Sequence, residues 1–277
     1  MANLSVEQFE KLQQEIYQKL GLHFDEKKIY FLKSRVAKRM AALSMDDPKD
    51  YIFMISYADP DGVEMQALAN LITTNETYMF REYDQLQGFA NHCLPEVLAA
   101  KQERGDKTLR IWSAGCSSGE EAYTLAMIVQ EIFPQVQTWD CEIWATDVDE
   151  NMLRKVASAR YGARSVQDVP EAFRDKYLVR SGDDWVVRQR TAAMVHVRHL
   201  NLHDRMAMRS MRGFDFIFCR NVLIYFDDLS RKAVVDHFYS ALNHGGYIFL
   251  GHSESIGRVT PAFHLKRFEN HLVYVKE

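Results

Sequence analysis

The chain holds 277 residues, 47% of them hydrophobic and 26% charged, enough to bury a large core and to divide into one main domain and a smaller one. A formal net charge of −4 speaks against nonspecific nucleic-acid binding by the whole chain, and the scattered Cys93, Cys116, Cys141 and Cys219, with no C-x-x-C pair, speak against a disulfide framework or a zinc site. The opening "MANLSVEQFEKLQQEIYQKL" lacks the basic-then-apolar plan of a secretory signal and no run of about 18 apolar residues occurs, so the expectation is a cytoplasmic, globular protein that is not membrane-embedded.

From Val6 to Leu20 the apolar residues Val6, Phe9, Leu12, Ile16, Tyr17 and Leu20 recur every three or four positions, which predicts an amphipathic helix closed by Gly21. A second helix follows in "DEKKIYFLKSRVAKRMAAL", where Ile29, Leu32, Val36 and Met40 form one stripe and Lys28, Lys33, Arg35, Lys38 and Arg39 lie mostly off it. Such a basic face is either a solvated helix surface or a docking surface for an acidic partner. Two more helices, separated by a break at Pro60 and Gly62, complete an all-helical amino-terminal domain over residues 1–72.

Residues 73–106 read as a linker and the start of a catalytic domain, which occupies 107–277. There the pattern becomes short apolar runs between helical stretches. "LRIWSA", "CEIWATD", "MVHVRHLNL", "FDFIFCR", "GGYIFLGH" and "HLVYVKE" read as strands, and "EEAYTLAMIVQEIF", "ENMLRKVASA" and "DDLSRKAVVDHFYSALN" as helices. The alternation predicts an α/β fold with a largely parallel sheet, finishing in an antiparallel pair because no long helix separates the last two strands. Ligands of such sheets bind at the carboxyl ends of the strands.

"IWSAGCSSGEEAYTLAM" has the order strand, glycine turn, helix. Gly115 and Gly119 would let a ligand approach the backbone, although a G-x-x-x-G spacing is also that of a tight turn with a packing glycine. Glu120 and Glu121 at the helix start would repel a pyrophosphate, which disfavours a dinucleotide and favours a nucleoside carrying positive groups, as S-adenosylmethionine does. "IWATDVDENML" ends its strand with Asp147, suited to the two ribose hydroxyls, while Asp149 suits a helix N-cap. In "FDFIFCRNVLIYFDD" the end of the strand, Cys219, Arg220 and Asn221, should emerge at the same sheet edge, with Tyr225 just beyond; by residue type alone Tyr225 could equally be a core aromatic. The ten histidines make no metal-binding pattern. Between head and body, "TTNETYMFRE" carries Asn75, Thr77 and Arg81 where an ordinary linker would be Gly-, Ser- and Pro-rich, so it too reads as part of a site.

Taken together, "TTNETYMFRE", "WSAGCSSGEEAY", "ATDVDENML", Asn201-Leu202, "FDFIFCRNVLIYFD" and "GHSES", in that order, resemble the chemotaxis receptor methyltransferases, the CheR family of S-adenosylmethionine-dependent protein-glutamate O-methyltransferases. The resemblance implies a helical amino-terminal domain joined to a Rossmann-like methyltransferase domain with a small antiparallel β-subdomain. It places that subdomain at about 176–199, where "KYLVRSGDDWVVRQRTAAMVHVRHL" reads as three short strands. It also implies cofactor contacts from Asn75, Thr77, Arg81, Gly115, Glu121, Asp147, Asn201, Leu202, Cys219 and Arg220, and catalytic roles for Arg81 and Tyr225 with no metal. The implied partners are cytoplasmic glutamate-rich helices of chemoreceptors, with no nucleic acid. In some family members the β-subdomain captures a receptor's carboxyl-terminal pentapeptide as an added strand. The expectation here is no such tether, because Ser181-Gly182-Asp183-Asp184 is shorter than the glycine-rich loop of tethered relatives and carries two acids. A methyltransferase for small molecules or nucleic acid, and a cofactor-binding sensor without turnover, are the alternatives.

Overall fold

In the computed structural model, which describes residues 4–24, 28–257, 259–268 and 271–277, the chain enters its first helix through a reciprocal cap. Ser5 Oγ accepts from Gln8 N–H and Gln8 Oε1 accepts from Ser5 N–H, satisfying two donors that a helix start leaves open. This helix, α1 (Val6–Leu20), packs with α2 (Ile29–Ala42), α3 (Pro48–Tyr57) and α4 (Val63–Ile72). Their apolar stripes, among them Leu12, Ile16, Leu32, Val36, Tyr51 and Leu68, form one core. Each such side chain contributes about 1.5–3 kcal/mol on burial.

The basic face of α2 is smaller than its composition suggests. Arg39 turns inward to Glu64 through two bonds, Nε to Oε1 at 2.8 Å and Nη2 to Oε2 at 2.6 Å, and Tyr51 Oη donates to the same carboxylate. Arg35 lies with its guanidinium 4.7 Å from the Phe31 ring centroid.

The stretch expected as a linker and the start of the catalytic domain is largely helical: α5 (Tyr83–Gly88), a π-turn over Phe89–Cys93, and α6 (Leu94–Glu103). It is ordered by the sheet beneath it. Phe89 meets Phe216, Phe218 and Phe249 edge-on at 5.0–5.8 Å.

The remaining elements alternate: β1 (Thr108–Ala114), α7 (Glu120–Ile132), β2 (Asp140–Asp147), α8 (Glu150–Ser158), β3 (Arg160–Tyr161), α9 (Ala163–Val166), α10 (Glu171–Tyr177), β4 (Leu178–Ser181), β5 (Asp184–Val187), α11 (Gln189–Ala192), β6 (Val195–His199), α12 (Arg205–Met208), β7 (Phe214–Cys219), α13 (Asp228–Ala241), β8 (Leu242–Leu250), β9 (His264–Phe268) and β10 (His271–Val275). Among the described residues seven strands make the main sheet, in the order β6-β2-β1-β7-β8-β10-β9. The first five are parallel, and β10 runs antiparallel to β8, as expected; β9, an additional antiparallel edge strand, was not foreseen. The chain builds outward from β1 to β6 and then crosses to β7 on the other side of β1, so the carboxyl ends of β1 and β7 flank a topological switch point.

The small antiparallel sheet has the order β3-β5-β4. Its membership differs from the sequence expectation over 176–199. The run at 195–199 pairs in parallel with β2 as the outer strand of the main sheet, and the third strand is the two-residue β3, which pairs with Trp185 and Val186. Alternating apolar and polar residues in "VHVRH" suit an edge strand of either sheet, so the pattern could not choose.

Candidate functional site

After β1 the chain turns through Gly115 at φ +75°, where its N–H donates to Thr146 O at 2.8 Å. A side chain there would strain the backbone and also put its Cβ 2.5 Å from Val222 Cγ2, on the opposite wall. The two acids at the start of α7 part company. Glu120 is buried, accepting from Ser118 Oγ and Ser165 Oγ, and burial raises its pKa despite those bonds. Glu121 accepts from Ser113 Oγ at 2.7 Å and faces Arg220 Nη1 at 3.2 Å.

Asp147, the last residue of β2, accepts from Ser117 N–H and Asp149 N–H, each at 2.8 Å. Burial dominates over those two bonds and pushes its pKa up to about 6. Asp149 caps α8, accepting from Asn151 N–H and Met152 N–H, and its other oxygen binds Thr73 Oγ1 and Asn75 Nδ2, both at 2.9 Å. The cap of one element therefore anchors the junction motif. Met79 N–H donates to Ser165 O and Phe80 N–H to Thr124 Oγ1, while Phe80 and Glu82 sit at φ +61° and +55°, left-handed conformations that non-glycine residues hold only under tertiary constraint. Arg81 donates Nη1 to Glu76 O at 2.7 Å.

These segments enclose a cavity of about 300 Å³. Asn75, Thr77, Arg81, Gly115, Glu121, Asp147, Asn201, Leu202, Arg220 and Tyr225 all line it. Cys219 does not. Its side chain is fully buried in the core on the α13 side with Ile217, because alternation along β7 turns it away from the residues flanking it. Asn201 reaches the head as well as the cavity, donating Nδ2 to Lys19 O at 2.7 Å.

Sequence reasoning missed one wall entirely. Leu20 at the end of α1, and Leu22, His23 and Phe24 just beyond it, line the cavity because Leu22 bridges to Phe226 and His23 N–H donates to Tyr225 O at 2.9 Å. No local pattern announces that contact. Asn221, expected at this sheet edge, and Ser117, not named among the site residues, both line the cavity with a buried, unpartnered oxygen, Asn221 Oδ1 and Ser117 Oγ. Buried acceptors left open cost stability unless a ligand completes them.

Residues 75–271 match the family model for the SAM binding domain of CheR methyltransferases, and residues 7–73 match that for their all-alpha domain. The chain belongs to the CheR methyltransferase family. Chemotaxis protein methyltransferase 2 of Vibrio cholerae is 38% identical over 261 residues, 94% of this chain and 89% of that protein. The chemotaxis protein methyltransferase of Borreliella burgdorferi is 32% identical over 256 residues, covering 92% and 90%, and that of Escherichia coli is 30% identical over 269, covering 95% and 89%. As a CheR methyltransferase the chain depends on S-adenosylmethionine, and its residues fit that group. Two carboxylates suit a cationic nucleoside without phosphate, Gly115 allows backbone approach, and the buried Ser117 Oγ beside Asp147 awaits a partner. Among the described residues no cluster of His, Cys, Asp or Glu could hold a metal ion, and no helix is long and apolar enough to cross a membrane.

Proposed function

We propose that this CheR-family chain methylates glutamate side-chain carboxylates on the cytoplasmic helices of chemoreceptors, giving methyl esters that adapt the chemotactic response. The observation that carries this is the distribution of charge around one cavity: Asp147 and Glu121 on the sheet side, and the half-exposed Arg81 from the junction motif. When bound, S-adenosylmethionine supplies an electrophilic methyl group on a sulfonium. Asp147 would accept the ribose hydroxyls and Glu121 the ammonium, with Asn201 and Leu202 near the adenine. Arg81 and Tyr225 would orient the incoming carboxylate.

Such an acceptor is already ionised at pH 7, so the chain needs no general base. It needs alignment, and positioning alone can supply roughly 7–11 kcal/mol of the barrier. Charge disappears in the reaction, so walls that exclude water favour it. In this reading residues 1–72 form the receptor-facing head, 107–277 the methyltransferase domain, and 73–106 their joint; the enzyme acts in the cytoplasm without a pentapeptide tether and without nucleic acid. The test is incubation with methyl-labelled cofactor and receptor cytoplasmic fragments or RNA, followed by mass spectrometry. Base-labile label on receptor glutamates is expected. Label on RNA alone, or bound cofactor with no transfer to any receptor, sinks the proposal.

A further inference from the structure

The segment after β7 brings Arg220, Asn221 and Tyr225 to the cavity, starting from a left-handed backbone at Asn221, φ +60°. One carboxylate stands behind it. Glu254 Oε2 accepts from Asn221 N–H at 2.7 Å and from Gly251 N–H at 2.8 Å, and Oε1 accepts from Ile224 N–H at 3.3 Å. Glu254 thereby joins the cavity wall to the turn that leaves β8. The fit leaves no room: a Cβ on Gly251 would lie 2.8–2.9 Å from Asn221 Nδ2, Asn221 N and Glu254 Oε2. The turn is itself anchored, with Gln85 Nε2 donating to Leu250 O and Glu254 N–H to Gly251 O.

We propose that Glu254 is a positioning residue for methyl transfer, holding Asn221–Tyr225 in the shape that presents Tyr225 and Asn221 to the acceptor. It is not among the residues lining the cavity. The proposal rests on the reading of Tyr225 as a residue that orients the acceptor. Only an ionised carboxylate offers acceptors at both oxygens and no donor, which three converging N–H groups demand. A glutamine would turn an NH₂ toward one of them, and an aspartate is a methylene too short to span them. The cofactor side stands independently, since Asp147 and Gly115 are held by β1, β2 and their loops, and Arg220 by Glu82, Glu121 and Arg81 O.

The experiment compares full-length wild type with Glu254→Gln, Glu254→Asp and Tyr225→Phe. It measures cofactor Kd by calorimetry, kcat and KM on a receptor fragment, and the thermal midpoint. Both Glu254 variants should lose about ten- to hundredfold in kcat, the scale of a misaligned reacting pair. Their cofactor Kd should stay within about threefold of wild type, the split expected when only an alignment is lost. Wild-type kcat in Glu254→Gln, or parallel loss of kcat and cofactor affinity with a collapsed midpoint, overturns the proposal. Slow Glu254→Gln beside a fully active Tyr225→Phe supports Glu254 and removes Tyr225 from its orienting role.

Discussion

Arg220 and Glu121 meet at 3.2 Å beside the cavity, and the same guanidinium reaches Glu82 at 3.0 Å and the carbonyl of Arg81 at 2.6 Å. One cation thus ties β7 to α7 and to the junction motif, and its side chain is only 4% exposed. The two carboxylates that face it are 14% and 15% exposed.

Removing the cation should therefore cost more than removing one acid. Arg220→Met is expected to lose about 3–5 kcal/mol of stability, because Glu82 and Glu121 would remain mostly buried without a counter-charge. Glu121→Gln keeps a partner for Ser113 Oγ and should fold, but bind cofactor about 1.5–3 kcal/mol more weakly, the range for a hydrogen bond to a charged group. Thermal denaturation beside calorimetry checks both; equal melting of wild type and Arg220→Met contradicts the buried-pair reading.

Asp147 makes cofactor binding pH-dependent. Its carboxyl holds a proton up to about pH 6 in the folded chain, against an ordinary value of 3.8, because burial penalises the charge. Between those values the folded state binds more protons than the unfolded one. This group's contribution to stability is thus fully present below about pH 4 and is lost as pH rises through 6. Cofactor binding has the opposite sign, because only the ionised carboxylate offers both oxygens to the ribose. Affinity should fall as pH drops below 6, by about tenfold per unit at the limit, while Asp147→Asn binds weakly at every pH. A wild-type Kd that is flat from pH 5 to 8 contradicts the ribose assignment.

Much of this was legible in the sequence, for reasons tied to particular residues. The boundaries of α1 follow from its stripe and Gly21; Asp147 stands out as a charge at the end of an apolar strand; Asp149 is a helix cap as its residue type suggests. What stayed hidden depends on contacts distant in sequence. That the Cys219 side chain stays off the cavity lining was hidden because a residue's place at a strand end does not say which face its side chain takes. Leu22 and His23 reach the cavity only through Phe226 and Tyr225, some two hundred residues away. Glu254 acts on backbone N–H groups, which leave no trace in composition.

The head gives a prediction that separates structure from docking. Arg39 belongs to the fold, so Arg39→Ala should cost about 3–5 kcal/mol by leaving Glu64 buried and unpaired. Elsewhere on α2, Lys38 is exposed and Lys33 half-buried. Reversing both to glutamate should leave stability and cofactor affinity alone and raise the KM for receptor, an effect that shrinks at high salt. Unchanged receptor kinetics would mean that this face is only solvated surface.

The last prediction concerns the small sheet. Its outer strand β4 has only four residues, with Val179 42% exposed, so it offers a short edge for an added strand. The hairpin beyond is closed tightly: Arg180 Nε folds back to Gly182 O at 2.8 Å, Asp184 pairs with Arg160 at 3.4 Å, and Asp183 is exposed. A peptide's terminal carboxylate arriving there would meet Asp183 and Asp184, and the nearby guanidinium of Arg160 is already engaged. A tether would raise local substrate concentration without altering the cavity, so its absence should show in KM and not in kcat. Titration of a receptor carboxyl-terminal pentapeptide is expected to give no heat under conditions where cofactor binding is measured readily, and appending that pentapeptide to a receptor fragment should leave KM unchanged. Micromolar binding together with a lowered KM for the extended receptor would falsify tether-free action and make β4 a docking strand.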